Sequence, residues 1–512
     1  MASSLTTASS GSGGSAGTSG SEKTFFGHPR GLATLFMTEM WERFSYYGMR
    51  ALLVLYLVSG GADAATGSQG GGLAMTAATA TAIYSVYVSM VYLMAMPGGW
   101  FGDRVWGARK TVTVAGFVIM AGHASLAIPG QAMFFVGLAL VAVGSGLLKA
   151  NISTMVGHLY DGPDDPRRDG GFTLFYVGIN LGAFLAPLVI GTVGESHNWH
   201  LGFLLAAIGM AIGLAQFLFG TRHLSEKSSV VPNPLSAAER KSVLVKVCVA
   251  AVAIAVFYGA VVAAGMYTLN WALVPITIAG LIIPIAVIVR IKRDKELDKT
   301  EQSKVTGYIW FFVAAAVFWM IYDQGGSTLS LFADSETTDH IGPLSFPATW
   351  FQSLNPLFVM ALAPVFAWLW LWLARRNQEP STIVKFSLGL VGIGISFFVF
   401  LAPIGMASGD AKVSPMWLVG IYMIQTIAEL CLSPVGLSVT TKMAPKKYAS
   451  QMLGVWFLAV TAGDCTTGLL SLAGVDLNGT GIIALQAVAV TVAAVAIFMY
   501  RNKVKKLMGD VH

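Results

Sequence analysis

Apolar runs of about twenty residues recur along nearly the whole chain, separated by short polar segments. Crossing a hydrocarbon core of ~30 Å takes about 20 helical residues. The pattern therefore predicts membrane-spanning helices over 33–58, 79–101, 110–130, 132–158, 171–193, 201–221, 243–265, 271–291, 306–332, 347–374, 381–404, 415–440, 450–474 and 480–500. In lipid a helix satisfies its own backbone polar groups, so the expectation is an all-α polytopic membrane protein with 14 transmembrane helices.

Composition agrees. Of 512 residues, 55% are hydrophobic and 11% charged, and the mean hydropathy is +0.67; a soluble domain carries roughly 25% charged residues. Threading the helices alternately places Arg104, Arg109, Lys110, Arg222, Arg293, Arg375, Arg376, Lys446 and Lys447 on one side, with the basic segment 501–506. The opposite loops carry little more than Lys412 among the bases, with Asp334, Glu336 and Asp339. By the positive-inside rule the basic side is cytoplasmic, and both termini lie there. The net charge of +6 follows from this topology and gives no reason to invoke a nucleic acid.

The Ser/Gly-rich segment 1–22 is too polar for a signal peptide and reads as a disordered tail, bounded at about residue 24. Charged stretches flank 223–304, which holds two spans without intramembrane charge. The predicted organisation is a six-helix bundle over 25–222, a linker with an inserted two-helix hairpin over 223–304, a second six-helix bundle over 305–506, and a tail over 507–512. Related halves with a site between them at the bilayer midplane are a recurrent plan of secondary transporters. Cys248, Cys431 and Cys465 lack metal or redox spacing and read as small apolar fillers. His197 and His200 have no third ligand, so no metal site is expected.

An ionisable group near the bilayer centre costs at least ~2.5 kcal/mol and is a functional candidate by default. Glu39, Glu42, Arg43, Arg50, Lys149, Asp323, Glu429 and Asp464 all fall inside predicted spans. The bases lie in the first half and Asp323, Glu429 and Asp464 in the second, so pairing between halves would offset much of the cost. Glu39, Arg43, Tyr46, Tyr47 and Arg50 recur at intervals of three and four and share one helix face, with Glu42 at its edge. Such a face suits a substrate that carries both charges. The sequence contains no HExxH, no GxSxG and no phosphate-binding loop, so an enzyme is not expected.

EMWERFSYYG at 39–48 and FYVGINLGAF at 175–184 resemble two signatures of the proton-dependent oligopeptide transporters, and GGWFGDRVWGARK at 98–110 resembles a loop motif of the wider major facilitator superfamily. GSGLLKANIST, FWMIYDQGGS, FQSLNPLF, ELCLSPVGLS and GVWFLA follow in family order, and the hairpin resembles the two extra helices of bacterial members. The resemblance implies a major facilitator fold, an inner (plasma) membrane location, and proton-coupled import of di- and tripeptides by alternating access. It implies no cofactor beyond the coupling proton, lipid as surroundings, and a monomer sufficient for transport. The alternative on the same fold is symport of another small anion or zwitterion such as nitrate, an amino acid or a drug.

Carried over by position, the resemblance implies that Arg43 and Lys149 face the peptide carboxylate. Asn180, Asn355 and Glu429 would receive the amino terminus, with Ser433 near the backbone, while Tyr46, Tyr47, Tyr92, Trp319, Trp456 and Phe457 would line side-chain pockets. Glu39 and Glu42 would belong to the proton-coupling motif; Arg50 with Asp323 would form an outer pair, and Lys149 with Glu429 an inner one. Helix 11 carries Asp464 where the family leads one to expect Asn, so this acid is either a second proton site or a protonated packing residue.

Overall fold

The computed structural model describes residues 24–60, 71–162, 165–407 and 411–509; the tail expected over 1–22 lies outside them. The long helices are α1 Gly31–Val58, α2 Ala77–Phe101, α3 Ala108–Leu126, α4 Gln131–Gly157, α5 Arg168–Ala186, α6 Trp199–Gly220, α7 Ala237–Ala263, α8 Asn270–Lys292 and α9 Lys299–Tyr322. They continue with the short α10 Thr328–Ser335, then α11 Leu354–Arg375, α12 Thr382–Met406, α13 Met416–Met443, α14 Ala449–Leu472, α15 Thr480–Met499 and the short α16 Arg501–Met508. Among the described residues, twelve helical segments are long and apolar enough to cross a membrane. α1 and α3 have the length, but their charged and polar positions lower their hydropathy.

Local chemistry sets the helix starts. Asn198 Oδ1 accepts from the amides of His200 and Leu201 to begin α6. Ser236 with Glu239, and Asp298 with Glu301, form capping boxes at α7 and α9, where two free amides are satisfied reciprocally.

One predicted span, 306–332, is broken. α9 stops at Tyr322, Asp323–Gly326 forms a 3-10 turn, and α10 resumes at Thr328. The Gly325-Gly326 pair removes side chains where the backbone is crowded, since a Cβ on Gly326 would lie 2.0 Å from the Tyr84 hydroxyl. The predicted span 171–193 likewise changes character, with a π-helical turn over Pro187–Gly191 that proline starts. A two-stranded hairpin, β1 His340–Ile341 with β2 Leu344–Ser345, follows α10. At the far end α16 runs to Met508, two residues past the expected end of the second bundle at 506, because Val504 and Met508 bury against α9.

Packing joins helices that are distant in the chain as well as neighbours. α1 lies between α5 and α6, and α4 against α2 and α3; α12 lies between α13 and α15, and α9 against α14. Between the halves α2 packs on α14, and α5 on α11. Small residues make these approaches close: a Cβ on Gly182 would sit 2.2 Å from Met40 O, and one on Gly463 would sit 2.5 Å from Ala316 O. The two helices between the halves differ. α8 packs on α14 and α2, whereas Val261 is the sole buried residue of α7. Cys248 accordingly lies on an exposed surface of α7, unlike the buried Cys431 and Cys465, so the packing role read for all three does not extend to it.

The linker is fastened at both ends. Before α7, the amides of Asn233 and Leu235 donate to Asp103 O and Arg104 O, and Arg104 pairs with Glu239 at 2.9 Å. After α8, Lys447 reaches Asp294 and Glu296, each at 2.7 Å, and the Tyr448 hydroxyl donates to Asp294. These donors, Lys447 first, hold the Asp294 carboxyl well below the usual carboxylate range.

Candidate functional site

The polar face of α1 is buried at the centre of the molecule. Arg43 Nε lies 3.1 Å from Glu39 Oε1 and 2.5 Å from Glu42 Oε2, and all three side chains are at most 5% exposed. Ser145 of α4 donates to Glu42 Oε1 at 3.0 Å. Two acids thus share one base, and Arg43 Nη2 has no partner among the described residues. The guanidinium also lies 5.1 Å from the centre of the Tyr46 ring, whose neighbours are Tyr47 and Tyr87.

Lys149 stands on α4, four residues beyond Ser145 and therefore on the same face. Its ammonium forms no ion pair among the described residues; it sits 3.7 Å from the Tyr92 ring centre and 5.0 Å from that of Phe457. Tyr92 and Phe457 stack across the seam between α2 and α14.

The facing wall belongs to the second half. Glu429 Oε2 accepts from the Tyr322 hydroxyl at 2.5 Å and from Asn355 Nδ2 at 3.0 Å. Both donors are neutral, so the carboxylate is hydrogen-bonded but forms no ion pair among the described residues. Trp319 Nε1 and Ser433 Oγ are buried without partners among the described residues. Tyr47 packs edge-on against Tyr46, with the Arg50 guanidinium 5.7 Å from its ring centre. Asn180 Nδ2 donates to Tyr176 O at 2.9 Å on α5.

Toward one end the halves are stitched together. Arg50 Nη2 donates to Asp323 Oδ1 at 2.7 Å, and its Nε to the Tyr84 hydroxyl at 2.6 Å. Glu195 accepts from the amides of Ala348 and Thr349 at 2.7 and 3.1 Å, at the start of the 3-10 segment Ala348–Ser353. Trp350 Nε1 donates to Thr192 Oγ1 and Ser353 Oγ to Phe184 O, each at 2.8 Å. Among the described residues, every hydrogen bond between 25–222 and 305–506 lies at this end or at mid-helix Ser89, whose carbonyl accepts from Thr461. Toward the basic end the cross-half neighbours are apolar or aromatic: Met96 with Gly454, and Tyr92 with Phe457.

The POT family profile matches residues 109–476. The chain belongs to the POT family. It is 41% identical over 503 residues to a di-/tripeptide transporter of Lactococcus lactis subsp. cremoris, covering 96% of this chain and 98% of that protein. A transporter of Bacillus subtilis without an assigned substrate is 46% identical over 445 residues, covering 86% of this chain and 87% of that protein. Among solved structures, a peptide transporter POT in complex with sulfate superposes with a TM-score of 0.89 at 44% identity, covering 95% of this chain and 97% of that one. A POT family transporter in complex with 5-aminolevulinic acid does so with 0.87 at 33% identity, covering 94% and 98%. The chain is therefore a multi-pass membrane transporter, not an enzyme.

In this POT family chain the structure brings together Glu39, Glu42, Arg43, Tyr46, Tyr47, Tyr92, Lys149 and Phe457 near one wall, and Asn355 with Glu429 on the other. It does not bring Lys149 into an ion pair with Glu429. Trp456 turns away: it is 3% exposed and packs on Gly436 and Phe386 inside the second half. Sequence reasoning missed Tyr322, Tyr84 and Ser145. Ser145 had a signal in its four-residue spacing from Lys149; Tyr84 and Tyr322 had none, because their partners lie 34 and 107 residues away in sequence.

Proposed function

We propose that the chain is a proton-coupled symporter that imports di- and tripeptides by alternating access. The observation that carries this reading is the division of charge across the site. Among the described residues, Arg43 Nη2 and Lys149 have no carboxylate partner, while Glu429 opposite is held only by neutral donors. A peptide is a zwitterion with fixed termini and variable side chains. The carboxylate suits Arg43, which can bind in a bidentate manner, together with Lys149; the ammonium suits Glu429, Asn355 and Asn180. Tyr46, Tyr47, Tyr92, Trp319 and Phe457, with Ser433, leave side-chain space lined by adaptable aromatic surface. The name of the Lactococcus relative supports the same substrate class.

The reading includes an inner membrane location, fourteen spans with α1 and α3 among them, bundles over 25–222 and 305–506, and α7 and α8 as an inserted hairpin. Both termini then lie in the cytoplasm, and the stitched end faces outward. Protonation of the Asp323 side would release Arg50 and favour opening outward; a peptide carboxylate reaching Arg43 and Lys149 would favour opening inward. Glu39 and Glu42, as they gain or lose protons, would set how much of the fixed Arg43 charge is left for a substrate carboxylate. Both steps bias one two-state element by charge.

A second reading, symport of a smaller zwitterion, draws support from the 33% identical neighbour solved with 5-aminolevulinic acid. The test is uptake of labelled dialanine into proteoliposomes under an imposed inward proton gradient. The expected outcome is accumulation that a protonophore abolishes. Glu42→Gln should lose driven accumulation, and Lys149→Ala and Glu429→Gln should each weaken apparent affinity by about ten- to a hundredfold, the scale of one hydrogen bond to a charged group. Well-folded wild type that ignores dialanine but accumulates 5-aminolevulinic acid would replace the first reading with the second.

A further inference from the structure

Arg50 faces two acids rather than one. On α14 the backbone at Gly463 lies against α9, and the Thr467 hydroxyl donates to Met320 O at 3.1 Å. This fixes the face of α14 that carries Asp464 against the end of α9, where the chain turns into Asp323. The side chains of Asp464 and Asp323 meet at hydrogen-bond distance. Both residues are buried, 2% and 5% exposed. Asp323 Oδ1 takes the Arg50 bond, while Asp323 Oδ2 and Asp464 Oδ2 have no donor among the described residues.

Two ionised carboxylates in contact would place four acceptor oxygens in a buried site where, among the described residues, Arg50 is the donor and serves only Asp323 Oδ1. Their repulsion would be set against a single guanidinium. One proton resolves both problems: it supplies the missing donor, and it leaves one negative charge to balance Arg50. We infer that Asp323 and Asp464 hold one proton between them while Arg50 closes this end, so that Asp464 is a second acid of the proton-binding gate. Its part in transport rests on the proton-coupled reading above; the shared proton does not.

Other groups bear on the pair without supplying that donor. Tyr46 and Tyr47 of α1 and Tyr84 of α2 lie around Arg50, and the Tyr84 hydroxyl already accepts from it. Lys149 of α4 and Glu429 of α13 act through space. α8, which also packs on α14, has its bases Arg290 and Lys292 in its last turn, and Cys465 of α14 itself turns toward Ser89.

When Arg50 leaves, the pair loses its cation and takes up a second proton from the side then open; when Arg50 returns, that proton is released. The count is one proton in the closed state and two in the open state, with no other reactant.

The experiment is infrared difference spectroscopy of the full chain in lipid at neutral pH, comparing wild type with Asp464→Asn. Asn keeps the size and can donate to Asp323, so the fold has a satisfied replacement. The expected result is loss of one carboxylic-acid carbonyl band, sensitive to exchange into D2O, with the carboxylate bands retained. Loss of a carboxylate band instead would overturn the inference, because Asp464 would then be ionised. A transport arm reads the role: the pH midpoint of gradient-driven dialanine uptake should move to more acidic values by about one unit, and an unmoved midpoint would remove Asp464 from the gate. Dialanine counterflow without a proton gradient separates the two readings. Wild type that fails to exchange dialanine sinks the peptide assignment, while the infrared arm still decides the shared proton.

Discussion

The two ends of the central site are built from different chemistry. At the stitched end, Arg50 meets Asp323, a carboxylate caps a 3-10 segment, and three further side-chain bonds cross between the halves. At the basic end the acid and base that face the site, Glu429 and Lys149, are each occupied by their own surroundings, a tyrosine with an asparagine and two aromatic rings. Ion pairs and charged caps are directional and can be broken by one proton, whereas rings over an ammonium hold it only loosely and leave it ready for a better partner. Parting the stitched end therefore takes a change of charge, whereas parting the basic end takes only the exchange of one weak contact for another.

The largest expected effect comes from removing the cation of the stitched end. Arg50→Gln leaves the buried acids without their partner, a loss worth about 3–5 kcal/mol. That shifts the balance toward opening by a hundredfold or more. Spin labels at the exposed Ser196 and Ser345, on opposite halves at this end, should move from a short to a long distance. An unchanged distance would mean that the neutral contacts of Ala348–Ser353 hold the end by themselves.

A smaller shift should follow Glu195→Gln, which keeps a hydrogen-bonding oxygen but removes the negative charge from the start of that segment. A charge at a helix N-terminus is worth about 1 kcal/mol, so the same label pair should report roughly a fivefold change in populations. An effect as large as that of Arg50→Gln would move the weight of closure from the ion pair to the cap.

The smallest effect belongs to the linker, outside both ends. Lys447→Ala removes exposed contacts to Asp294 and Glu296, and should lower the thermal midpoint by about 1–2 °C at most. The folded-state carboxyl of Asp294 is depressed, so its contribution is present above the ordinary carboxylate range and fades as pH falls through its lowered value. The wild-type advantage should therefore vanish in strong acid and shrink in high salt. A large loss of stability at neutral pH would show that this fastening organises the second half.

Much of this was legible in the chain because the bilayer imposes simple rules on sequence. The long helices follow from apolar runs, and the face of α1 follows from the spacing of Glu39, Arg43, Tyr46, Tyr47 and Arg50. What escaped needs three-dimensional packing. The apolar run over 306–332 hides the break at Asp323–Gly326, since crowding by Tyr84 is supplied from another helix. Trp456 and Phe457 are neighbours in sequence, but the helix turns one into the core and the other toward Lys149. Nothing in the run over 243–265 distinguishes it from 271–291, yet α7 stands apart and α8 packs, because one exposes its small residues and the other fits Gly280 against Cys465 and Thr461.

Two residues of α14, one turn apart at most, give the molecule a fulcrum. Gly463 rests on the backbone of α9 in its own half, and Thr461, two residues before it, donates to the backbone of α2 in the other. At Gly463 no side chain separates the two backbones, and at Thr461 a single hydroxyl ties α14 to α2, so sliding is resisted at both contacts more than tilting is. A rigid lever that tilts about such a point moves least beside it and most at its tips, in opposite senses.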